Sequence, residues 1–107
     1  MSNSDTCARE LDELCALSAR VLELILSEEL EQAGALEVER HSATRALFAG
    51  AHRERLREEQ ARLVELHRLD QEIGKAIADT CADLRRELRE RDVRRTASNA
   101  YTRVRAL

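Results

Sequence analysis

From Arg53 to about Arg94 the chain holds one glycine and no proline, and its apolar residues return every three, four or seven positions. Leu56, Leu63, Leu66, Ile73, Ile77, Cys81, Leu84 and Leu88 therefore share one stripe of an α-helix, a spacing that no single face of a strand can hold. A helix of about 40 residues would be about 60 Å long, at roughly 1.5 Å per residue. Such a helix cannot bury its own apolar face, so the segments before and after it are expected to fold back along it.

At 107 residues the chain is read as one domain, 1–107, able to bury a real but thin core. Aromatics are 2% and charged residues 36% of the chain, which suits an all-α helical bundle and disfavours a sheet. Ala8, Leu11, Leu14, Cys15, Ser18, Val21, Leu22 and Ile25 trace the face of a first helix, widened by Leu17 and Leu24. Ser27, followed by Glu28 and Glu29, reads as the N-cap of a second helix, with Gly34 as a rival break point. That second helix would use Leu30, Ala33, Leu36, Ala43 and Leu47, with Val38 at its margin, and would end at Gly50. After a charge-dense hinge from Arg89 to Arg95, the residues Ala97, Ala100, Tyr101, Val104 and Leu107 predict a short fourth helix. The expected architecture is thus an antiparallel bundle of three helices, the third long, plus a short C-terminal fourth. Breaks fall near Ser27, Gly50 and Arg95, and Leu14, Val21, Leu63, Ile73, Ile77 and Leu84 are expected in the core.

The net charge of −3 disfavours a nucleic-acid partner. Residues 1–50 carry ten acidic and four basic side chains, and residues 51–107 carry eleven and fourteen. Two oppositely charged halves folding together explain this, as does a basic docking surface formed by Arg85, Arg86, Arg89, Arg91, Arg94, Arg95, Arg103 and Arg105. Cys7, Cys15 and Cys81 form no C-x-x-C pair and are expected to be buried free thiols, with no zinc site. The start Met-Ser-Asn-Ser-Asp is not a secretory leader and no apolar run is long enough for a membrane span, which predicts a cytoplasmic protein without membrane association. His41, His52 and His67 make no metal motif, and no phosphate-binding loop, dinucleotide fingerprint or nucleophile elbow is present. A noncatalytic protein without cofactor or metal is expected. Leu24, Leu26, Val38, Val64 and Leu69 lie off the main stripes, which leaves either wide helix contacts or a groove for a partner helix.

Three pieces carry a family resemblance: Val21-Leu22-Glu23-Leu24 followed by Glu37-Val38, Leu69-Asp70-Gln71-Glu72-Ile73, and Asn99-Ala100-Tyr101-Thr102-Arg103-Val104. In this order and spacing the chain resembles the flagellar export chaperones of the FliT type, with Thr102 where the family tail has Gly. The FlgN type, which serves hook-junction proteins and has a similar tail, is the close alternative. The resemblance implies a small all-α cytoplasmic chaperone that shields a segment of the flagellar filament-cap protein. It further implies contact with components of the export ATPase complex and with a flagellar transcriptional regulator. It also places client binding on helices two and three, here at Leu63, Leu66, Leu69, Asp70 and Ile73. The tail residues Asn99, Ala100, Tyr101 and Val104 would then be autoinhibitory, docking in the same groove. The rival reading is a structural coiled-coil adaptor that forms homo-oligomers through the long helix and has no export role.

Overall fold

A computed structural model describes residues 3–50 and 53–107, with the backbone alone for Asn3 and Ser4. Met1, Ser2, Ala51 and His52 lie outside the described residues. Every regular element among the described residues is helical: α1 (Asn3–Leu26), α2 (Leu30–Ala49), a 3₁₀ helix (Arg53–Glu58) and α3 (Gln60–Arg105). The chain divides into two compact units, Met1–Ile77 and Ala78–Leu107.

In the first unit, α1 presents Cys7, Leu11, Leu14, Ser18, Val21 and Ile25 at alternating four- and three-residue steps, and all six are buried. Cys7, Leu11 and Leu14 form one apolar cluster with Leu47 of α2, Leu56 of the 3₁₀ helix and Leu66 of α3. Val21, Leu24 and Ile25 form a second with Ala33, Ile73 and Ala76. Between the two clusters numbering rises in α1 and α3 and falls in α2, so α2 runs antiparallel to both. Buried Ser18 and Arg40 lie between the clusters in sequence, and Ser18 Oγ satisfies itself by donating to the Leu14 carbonyl at 2.8 Å.

The break between α1 and α2 falls where expected, but its chemistry differs. Ser27 closes α1 and does not cap α2: its backbone N–H and its Oγ both bond the Glu23 carbonyl at 2.9 Å. Glu28 then takes a left-handed conformation (φ 61°), while the Glu28 and Glu29 amides bond the Ile25 and Leu24 carbonyls. These paired bonds are those of a Schellman ending, with a glutamate where glycine is usual. Glu29 occupies the N-cap of α2 and makes no side-chain capping bond. Gly34 does not break α2, and Gly50 is its C-cap. The long helix begins later than Arg53. The run Arg53–Glu58 contains one apolar residue, and the tighter 3₁₀ turn brings that residue, Leu56, into the core.

In the second unit α3 continues without interruption from Ala78 to Arg105, so residues 96–105 belong to α3 and not to a separate fourth helix. The apolar stripe lapses from Arg89 to Arg95, but arginine and glutamate are good helix formers that need no burial. Pairs such as Arg86–Asp83 and Arg95–Asp92 add local support at i,i+3. Loss of the stripe ends burial and leaves the helix intact. Two expected core residues are accordingly exposed, Ile77 at 42% and Leu84 at 45%, while Leu63 is half-buried. Cys81 is exposed, contrary to expectation, whereas Cys7 is buried and Cys15 half-buried. The last core residue that α3 supplies is Ala76.

Candidate functional site

The long helix and α2 enclose a cleft of about 200 Å³ lined by Arg40, Thr44, Phe48, Leu63, Leu66, His67 and Asp70. Its position follows from the packing. Leu66 and Leu47 belong to the core beneath, so the next positions outward, Leu63 on α3 and Phe48 on α2, are left at the margin. Phe48 is 42% exposed, a large apolar surface left open to water.

The polar end of the cleft is fixed by Arg40. Its Nε and Nη2 donate to the two carboxylate oxygens of Glu37 at 2.8 and 2.6 Å, and its Nη1 donates to Asp70 Oδ1 at 3.0 Å. The fork on Glu37 pushes the Arg40 guanidinium above its ordinary pKa, burial opposes this, and Asp70 adds to the rise. A permanently charged guanidinium thus ties α2 to α3 across the cleft. Thr44 Oγ1 donates to the Arg40 carbonyl at 2.8 Å, and the His67 ring meets Gln71 Nε2 at 3.1 Å.

A second cleft, of about 330 Å³, lies between α1 and α2 and is lined by Glu10, Glu13, Leu14, Leu17, Ala43, Ala46 and Leu47. Both are shallow troughs between helices, and the first is smaller than the roughly 300 Å³ at which small-molecule pockets begin. Their chemistry is that of knob-and-groove contact with another helix or an apolar peptide.

Of the residues assigned to partner binding from sequence, Leu63, Leu66 and Asp70 come together at the α2–α3 cleft. Leu69 and Ile73 do not line it: they are 5% and 1% exposed, and Ile73 belongs to the second core cluster. The tail residues Asn99, Ala100, Tyr101 and Val104 are exposed on α3, with the Arg105 guanidinium 5.8 Å from the centre of the Tyr101 ring. Arg40, Thr44 and Phe48 were not foreseen. Arg40 was detectable, because it interrupts the otherwise apolar positions 33, 36, 43 and 47 at a spacing that faces the core. Among the off-stripe residues, Leu24 and Leu69 are buried, while Leu26, Val38 and Val64 are exposed.

The model of the flagellar protein FliT family matches residues 8–103. The chain belongs to the FliT family. FliT proteins are flagellar export chaperones, and the matched span includes both clefts and nearly all of α3. No curated protein and no solved structure matches the chain. Among the described residues, no helix is long and apolar enough to cross a membrane.

Proposed function

We propose that this FliT-family protein acts in the cytoplasm as a noncatalytic chaperone whose α2–α3 cleft holds an apolar segment of the filament-cap protein until export. The observation that carries this reading is Phe48, an exposed aromatic side chain on the rim of a cleft whose floor is already apolar. A client side chain placed between Phe48 and Leu63 would cover both, and Asp70 with Arg40 offers polar partners at the edge. Export ATPase components and a flagellar transcriptional regulator are the further partners on this reading.

The test is calorimetry of the full-length protein against a C-terminal segment of the filament-cap protein. Phe48→Glu should weaken binding by about tenfold or more, as expected for loss of an aromatic anchor. Leu88→Glu, on the exposed face of α3, should leave binding unchanged. Leu69 is unsuited to this test, since a charge at a buried position reports on folding. Equal affinity of the Phe48→Glu and wild-type proteins would move the client to another surface.

A further inference from the structure

The α2–α3 cleft has an apolar end and a polar end, and the charges of the polar end do not cancel. Phe48, Leu63 and Leu66 make the first, Arg40 and Asp70 the second. Glu37 and Asp70 both accept from the Arg40 guanidinium, so two carboxylates face one cation and one negative charge is in excess. Glu37 commits both oxygens to the fork, and its side chain is 24% exposed. Asp70 receives Arg40 on Oδ1 alone, and its side chain is 58% exposed. The remaining acceptor capacity of the polar end therefore lies on Asp70 and faces water. Thr44 and His67, between the two ends, are already engaged by the Arg40 carbonyl and by Gln71. Positions 63, 67, 70 and 74 advance by four, three and four along one edge of α3, and the last of them is glycine. A Cβ at Gly74 would meet nothing within 4 Å, so the approach to Asp70 along that edge is open.

Asp70 lies seven residues from Leu63 on α3, and Arg40 lies eight from Phe48 on α2. At roughly 1.5 Å per residue the two ends of the cleft are thus about 10–12 Å apart. A client helix lying along the cleft covers that distance in seven residues. Resting on the client reading of this cleft, we infer that Asp70 selects a client segment with a lysine or arginine seven residues from the apolar side chain seated between Phe48 and Leu63. The cation donates a charge-assisted hydrogen bond to Asp70, and its aliphatic stem runs over the open edge at Gly74. An acidic client residue at the same place meets the excess negative charge and is rejected. The apolar end thus supplies the anchor, and Asp70 supplies the choice of sequence and register.

Calorimetry of the full-length protein against the C-terminal segment of the filament-cap protein tests it, with Phe48→Glu measured alongside. Asp70→Asn keeps an oxygen that accepts from Arg40 and removes the charge, so helix content by circular dichroism should remain that of wild type. Its affinity for the segment should fall by about three- to tenfold. The decline of affinity with rising salt should also be shallower than for wild type. Asp70→Lys should weaken binding further, and glutamate in place of the segment's spaced lysine or arginine should recover most of that loss. An Asp70→Asn protein that binds as wild type while Phe48→Glu does not would overturn the selection and leave the cleft as the client site. Failure of the charge exchange to recover affinity would overturn it equally, as would a segment that needs Phe48 yet has no lysine or arginine at that spacing. Indifference to Phe48→Glu would remove the client reading, and the selection with it.

Discussion

Residues 60–77 and 78–105 of α3 carry apolar residues at the same helical spacing and meet opposite fates. The first stretch supplies Leu66, Leu69, Ile73 and Ala76 to the core, whereas Leu84, Leu88, Val93, Tyr101 and Val104 in the second are all exposed. Local propensity does not separate them, since both are helix. The availability of partners does. Helices of 24 and 20 residues offer only about 36 and 30 Å of packing length, against about 69 Å for the 46 residues of α3. Periodicity thus specifies which face of a helix is apolar, and the length of the neighbouring helices decides how much of that face is covered.

The largest expected difference follows directly. Ile73→Ala removes a side chain that is 1% exposed and should cost about 2–5 kcal/mol, whereas Leu84→Ala should stay within about 0.5 kcal/mol in urea denaturation of the dilute protein. Equal losses would erase the distinction between the two stretches.

Ion pairs sharpen the same contrast on a smaller scale. The Arg40 side chain keeps 9% of its exposure and bridges two carboxylates, so Arg40→Ala should cost about 1–3 kcal/mol by leaving Glu37 without its fork. Asp70 is 58% exposed, and Asp70→Asn should cost under about 1 kcal/mol. Arg95, paired with Asp92 on an open helix surface, should be replaceable by Ala within about 0.5 kcal/mol.

The smallest effects concern the thiols. Burial first, and then Glu59, pushes the Cys7 thiol above its ordinary pKa, whereas Cys81 is exposed. An alkylating reagent should therefore modify Cys81 first, Cys15 more slowly and Cys7 only on unfolding. Because the folded Cys7 thiol titrates above the unfolded one, its contribution to stability is complete below the ordinary thiol range. That contribution is lost as pH rises through the folded value. Cys7→Ala should flatten this alkaline slope, which pH-dependent denaturation would show.

Much of the first unit was legible in sequence. The helical class and the burial of Leu14, Val21 and Ile73 follow from spacing, and the end of α2 from Gly50, while the break after Leu26 was placed correctly from a serine read with the wrong role. What was not legible has physical causes. Ser27 was assigned to the following helix because a serine before two glutamates looks like an N-cap, yet the same hydroxyl can bond backward to a carbonyl one turn earlier. The break at Arg95 was inferred from a lapse in apolar residues, which marks the end of burial and not the end of a helix. Ile77 and Leu84 sit on a well-formed stripe, but periodicity marks a face as apolar without supplying a partner to cover it. At the candidate cleft, Leu63, Leu66 and Asp70 could be read from one helix, but Arg40 and Phe48 depend on which residues of α2 come to face α3.

Hydrogen–deuterium exchange on the dilute full-length protein, alone and with the filament-cap C-terminal segment, bears most directly on the division of α3 and on its use. Without the segment, amides of residues 64–77 should be protected by the folded core, and those of residues 84–105 should exchange far faster, as an uncovered helix does. With the segment, added protection should fall on residues 40–48 and 63–70 and leave residues 84–105 unchanged. Uniform protection along α3 in the free protein, or client-induced protection confined to residues 84–105, would contradict the account.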